Sequence, residues 1–160
     1  MSFHYHMKNP KIKGVLATFL FSVLASTAPA QTYTPAQIRQ SIKAAGGAEP
    51  FMRRLAESSA RLFPRLLDSE TEGLMAVQQG RSLVYQVRLV NYSRSEIKSV
   101  EQLKSRVTGL NASAVCSAPI AKILITEYGA SYKYMVYSKT KEYLFEYTVD
   151  QKLCQTLGLN

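Results

Sequence analysis

The chain reads as a single α+β domain with antiparallel strands, helices packed on one face of them, and one disulfide. Three observations predict this. Apolar residues recur at helical spacing in four stretches and alternate at strand spacing in four others. These stretches run helix, helix, hairpin, then helix, helix, hairpin, an order that segregates helices from antiparallel pairs. The only two cysteines, Cys116 and Cys154, belong to a chain that opens with an export segment, and exported thiols pair. The residues of the two halves do not repeat, so the duplication is one of element order. One four-stranded sheet and two separate ribbons both satisfy it.

The export segment comes first. Gly14 to Ala25 is an uncharged apolar run preceded by Lys8, Lys11 and Lys13 and followed by Ser26-Thr27-Ala28-Pro29-Ala30. Basic, apolar, then small residues is the order of a cleaved secretory signal peptide, with cleavage expected after Ala30. Residues 1–30 are therefore expected to be removed and 31–160 to form the domain. The run falls short of the roughly 20 apolar residues that span a bilayer, so no membrane span is expected after cleavage. No cysteine lies near the cleavage site to accept a lipid. Met7, just ahead of Lys8, offers a second start for such a signal.

The first helix begins at Thr34-Pro35, a capping residue followed by proline at the first helical position. Ile38 and Ile42 follow on one face, and Gly46-Gly47 stops it. The second helix is predicted from Pro50 to Phe63, with Met52, Leu55, Ala56, Ser59, Leu62 and Phe63 inward. Arg54, Ser58 and Arg61 face outward, Arg53 pairs with Glu57, and Pro64 breaks the helix. Asp68 to Gly73 reads as a polar connector. Leu74–Gln79 and Leu83–Val90 are strands joined across Gly80-Arg81, with apolar residues on both faces of the second.

Ser93 or Ser95 is expected to cap the third helix, which carries Ile97, Val100, Leu103, Val107 and Leu110. Ser117-Ala118-Pro119 opens a fourth, with Ile120, Ile123 and Leu124 inward and Gly129 as its stop. The last hairpin, Ser131–Ser138 with Lys141–Val149, has a strong pattern. Pairing Tyr132 with Tyr147, Tyr134 with Phe145 and Val136 with Tyr143 builds an aromatic inner face. The same register sets Lys133 opposite Glu146 and Met135 opposite Leu144 outside. Asp150 caps a final turn carrying Cys154. A Cys116–Cys154 bridge closes a loop worth about 4 kcal/mol by chain entropy.

Composition narrows the chemistry. Both histidines, His4 and His6, precede the apolar run, so residues 31–160 hold none. A Ser-His-Asp or Cys-His catalytic set cannot be built there, and a His/Cys zinc site fails once the sulfurs pair. The phosphate-binding, dinucleotide-binding and nucleophile-elbow glycine motifs are absent. No cofactor is expected. Carboxylates remain: Asp68, Glu70 and Glu72 alternate and would serve glycan cleavage or calcium binding if they converged, and a solvated turn if they did not. Removing the three leading lysines leaves seventeen basic against eleven acidic residues, a net charge of +6. That draws an exported protein toward anionic envelope polymers or an acidic partner, and equally keeps it soluble. The charges are dispersed, which argues against a nucleic-acid-binding arm.

Tyr132, Tyr134, Tyr143 and Tyr147 read as core, while Met135, Tyr137 and Leu144 fall on the outer side of the hairpin. With Arg54 and Arg61 they make the candidate interaction surface. Asn91-Tyr92-Ser93 and Asn111-Ala112-Ser113 match the glycosylation pattern, which matters only in a eukaryotic secretory host.

The chain resembles a loose group of small exported bacterial proteins without an assigned activity. The residues that carry this are Phe63-Pro64-Arg65-Leu66-Leu67-Asp68 with Thr71, then Leu83-Val84-Tyr85 with Val87 and Leu89. Cys116, Pro119, Gly129, Tyr134, Tyr137, Val149 and Cys154 complete the set. The resemblance implies bacterial export and a small disulfide-bridged α+β domain, and no activity. An Asp-Gly-type turn expected in the last hairpin is replaced by Lys139-Thr140-Lys141. The expected function is non-catalytic: a periplasmic or secreted protein engaging a protein partner in the cell envelope as an inhibitor, an immunity-type protein or an accessory factor. The alternatives are a glycan hydrolase using Asp68, Glu70 or Glu72, and an electrostatic binder of anionic envelope polymers.

Overall fold

A computed structural model describes residues 33–159. The expected signal peptide, residues 1–30, lies outside the described residues. Helix α1, Pro35–Ala44, is capped by Thr34, whose hydroxyl accepts from Gln37 N while Gln37 Oε1 accepts from Thr34 N at 2.8 Å. Ile38 and Ile42 are buried. Helix α2 spans Ala48–Ala60 and buries Met52, Ala56 and Ser59. It starts and ends earlier than the expected Pro50–Phe63, because Gly47, at φ 118°, lets the chain re-enter a helix at once. Arg53 and Glu57 form no ion pair among the described residues.

A two-residue strand follows, β1, Arg65–Leu66, then β2, Thr71–Gln79, and β3, Ser82–Leu89. Gly80, at φ 55°, and Arg81 make the two-residue turn that pairs Gln79 with Ser82, as expected. The polar connector is shorter than expected, since Thr71, Glu72 and Gly73 already pair within the sheet. Helix α3 is Val100–Ser117, α4 is Pro119–Tyr128, β4 is Ser131–Tyr137, β5 is Tyr143–Val149 and α5 is Gln151–Thr156. Ser93 caps only a 3-10 turn at Arg94–Glu96. Ser99 caps α3, accepting from Gln102 N at 3.2 Å. Gly129 ends α4 in the left-handed conformation, φ 63°.

All five strands form one sheet in chain order. The two hairpins join through a parallel pairing of β3 with β4, Leu83 beside Tyr132 and Val87 beside Val136. The expectation of antiparallel strands therefore fails at this one seam. A parallel neighbour needs a long crossover, and α3 with α4 supplies it. The β4–β5 register also differs from the expected one by two residues: Tyr132 faces Val149, Tyr134 faces Tyr147 and Val136 faces Phe145. An even shift keeps each side chain on its face, so the aromatic interior survives the correction. Next to Val136 the register slips by one more residue, and Tyr143 comes to lie opposite Tyr137.

Helices cover one face of this sheet. The inner rows are Leu83, Val87 and Leu89 of β3, Tyr132, Tyr134 and Val136 of β4, and Phe145, Tyr147 and Val149 of β5. They pack with Met52, Val115, Leu124 and Ile125 from the helices in one core. Cys116 of α3 and Cys154 of α5 are joined, with Cα atoms 5.7 Å apart, and both are buried. Among the described residues, no single helix is long and apolar enough to cross a membrane.

Candidate functional site

The sheet has a second face, and the strand pairings place its residues in rows. One row runs Val77, Val84, Lys133, Thr148; the next runs Met75, Gln86, Met135, Glu146. The last runs Leu66, Glu72, Arg88, Tyr137, Tyr143. Leu66 is 59% exposed, Met75 38% and Tyr143 51%. A helix-covered sheet face would bury them, so this face is open. Tyr137 and Tyr143 meet edge to face, with centroids 5.9 Å apart.

The charges on this face neutralise one another. Glu72 and Arg88 are direct cross-strand neighbours and touch at 2.5 Å. Lys133 and Glu146 sit on a diagonal rather than directly opposite, and the ammonium still reaches the carboxylate at 2.8 Å. Between these two pairs an apolar stripe crosses the strands obliquely, from Met75 and Val77 through Met135 to Tyr137 and Tyr143, with Val84 buried among them at 5% exposure. A surface built this way offers apolar contact without leaving a charge unpaired when a partner covers it.

The expected surface residues divide. Met135 and Tyr137 lie half-buried on the open face. Leu144, expected outside opposite Met135, is only 8% exposed and belongs to the core. The register slip makes it the extra residue between Phe145 and Tyr143, and its side chain turns away from solvent. Tyr143, expected in the core, takes the exposed place for the same reason. Arg54 on α2 and Arg61 just after its end are exposed, on the helical side of the sheet, and are not brought together with Met135 and Tyr137. Glu146 was expected as the partner of Lys133, whereas Leu66, Met75, Val77 and Val84 were not read as surface residues in the sequence. The one signal that pointed to them was the apolar character of both faces of the Leu83–Val90 strand.

The three alternating carboxylates turn to different partners. Asp68 Oδ1 accepts from Glu70 N at 2.7 Å in a tight turn, the Glu70 charge helps to raise the Tyr92 phenol, and Glu72 holds Arg88. Among the described residues, no three His, Cys, Asp or Glu side chains group in a way that would hold a metal ion.

On the helix-facing side, Tyr85, Tyr134 and Tyr147 occupy adjacent positions on three strands and stack, with centroids 5.4 and 5.1 Å apart. The Tyr147 hydroxyl accepts from Asn111 Nδ2 of α3 at 2.8 Å. Burial pushes the phenols of Tyr132, Tyr134 and Tyr147 up from the ordinary tyrosine range. This layer anchors the sheet to its helices and makes its aromatic residues structural.

No family model matches the chain, and no curated protein matches it significantly in sequence. Solved structures share its fold. A presumed secreted protein of Pseudomonas aeruginosa superposes with a TM-score of 0.54 at 18% identity, over 67% of this chain and 92% of that one. EpsS, a pilotin of the Vibrio vulnificus type II secretion system, gives 0.55 at 12% identity, over 73% and 97%. AspS, the type II secretion pilotin of Vibrio cholerae, gives 0.51 at 12%, over 73% and 98%.

Proposed function

We propose that this protein is an exported, non-catalytic accessory factor of the bacterial envelope, and that it binds a protein partner through the open face of its sheet. The observation that carries this reading is the apolar stripe of Met75, Met135, Tyr137 and Tyr143 lying between two ion pairs, Glu72–Arg88 and Lys133–Glu146. Enzymes gather titratable groups in a cleft, whereas here the charges of the exposed face are spent on each other. The likeness in fold to a presumed secreted protein and to two type II secretion pilotins supports an envelope setting and an assembly role.

Genetics in the source bacterium tests the reading. Deleting the gene lowers the output or assembly of an envelope machine, type II secretion first among those to assay. A plasmid copy restores it, and a copy carrying Met135→Glu and Tyr143→Glu does not, although that variant accumulates in the envelope. Full complementation by the double variant would remove the open face from the account. An unchanged deletion strain would remove the accessory role.

A further inference from the structure

The two edges of the sheet are unlike. At one, β1 covers Glu72 and Gly73 of β2, and Ala76 beyond it is only 3% exposed, so this edge is closed. At the other, β5 has β4 on one side and no strand on its far side among the described residues. Backbone groups alternate in direction along a strand. Ser131 N donates to Arg81 O at 2.9 Å, so Ser131, Lys133 and Met135 of β4 address β3. Tyr132, Tyr134 and Val136 therefore address β5, where Val149, Tyr147 and Phe145 answer them. That leaves the N–H and C=O groups of Glu146 and Thr148 pointing away from the sheet. Thr148 is exposed and Glu146 half-buried. Proline, lysine or a free charge ordinarily blunts such an edge. Tyr143–Val149 contains no proline and no lysine, and Lys133 holds its one charge, Glu146.

We infer that β5 is the contact through which two copies of this protein pair, antiparallel about a two-fold axis at Tyr147. Glu146 of each copy then lies opposite Thr148 of the other, and each such pair exchanges both its N–H···O bonds. An axis at Glu146 would set that carboxylate against its own copy, which like-charge repulsion disfavours. The axis at Tyr147 also matches charge beyond the strand. Glu142 and Lys152 stand equally far from Tyr147 in sequence, both are exposed, and neither is in an ion pair among the described residues. Pairing brings Glu142 of one copy toward Lys152 of the other, and the reverse. A strand from any other protein would need the same mirrored charges, which a second copy supplies by symmetry. Cross-strand neighbours share a face, so the open faces of the two copies merge on one side of a longer sheet. The contact uses the edge and leaves Met75 and Met135 uncovered, so failure of this reading and failure of the partner reading are distinguishable.

Sedimentation velocity of the chain beginning at residue 31, from about 10 μM to about 1 mM, tests the pairing. A seven-residue strand makes a small contact, and interfaces under about 1,200 Å² are transient, so monomer is expected at the low end and dimer at the high end. Thr148→Pro removes an outward N–H from each copy and none that pairs with β4. The fold should tolerate it, by an unchanged thermal melt, while dimerisation weakens at least about tenfold. Glu142→Lys and Lys152→Glu should each weaken the dimer, and the two together should restore it. If the proline variant misfolds, the charge variants decide alone. Monomer throughout the range would overturn the proposal. So would a dimer that Thr148→Pro leaves unchanged, or charge reversals that do not rescue one another. Association abolished by Met135→Glu and indifferent to Thr148→Pro would place the contact on the open face instead.

Discussion

Asn111 shows how much one side chain carries in a small core. It is buried in α3 and donates to the Tyr147 hydroxyl, while Tyr147 stacks on Tyr134. Tyr147→Phe keeps the ring and strands the amide, so it should cost about 1–3 kcal/mol in a urea unfolding curve. The buried phenols set a pH limit. Their folded pKa values lie above the unfolded value near 10, so the folded state keeps protons that the unfolded chain releases. Stability is therefore intact below about pH 10 and falls as the pH rises through the folded values. Absorbance at alkaline pH should show Tyr132, Tyr134 and Tyr147 ionising only with unfolding. Early titration of these three core phenols would contradict this burial. Lys141 holds φ 64° in the last turn, where the sequence lacks the expected glycine. Lys141→Gly should raise stability by up to about 1 kcal/mol, read from the shift in thermal midpoint.

Elements were legible wherever a local signal decided them. Thr34-Pro35, Gly80-Arg81 and Gly129 each demanded one backbone geometry, and each marks the boundary it was expected to mark. The start of α3 was not legible in the same way. Ser93, Ser95 and Ser99 are all competent caps, and nothing local to them selects Ser99, which caps the helix. Strand β1 was missed because two residues carry no periodicity. The hairpin register erred by two because alternation fixes the face of a strand and not its position along the partner. A close approach between elements was hidden for a similar reason. A Cβ on Gly73 would lie 2.5 Å from the Phe63 ring. Gly73→Ala should therefore cost about 1–3 kcal/mol, and pairing it with Phe63→Ala should show favourable coupling in a double-mutant cycle.

At the scale of the molecule, the disulfide and the five-stranded sheet answer different needs. The bridge ties the six-residue helix α5 to α3, which a helix of that length could not manage through its own propensity. Reducing it should lower the unfolding free energy by up to about 4 kcal/mol, seen as a fall in the urea midpoint. The bridge and the fold class were readable from cysteine count, export and element order. The parallel seam was not, because nothing local in β3 or β4 names its neighbour. The candidate site was half legible for that reason. Met135 and Tyr137 could be found from one hairpin, but Met75, Val84 and Leu66 join them only once both hairpins share a sheet. The central claim is that this joined, open face meets a partner in the envelope. Photo-crosslinking in living cells tests it directly, with a benzophenone amino acid placed at Met135, at Tyr143 or at Glu101 on α3. The account predicts one discrete crosslinked envelope protein from Met135 and Tyr143 and none from Glu101. A crosslink from Glu101 with silence at both face positions would contradict it.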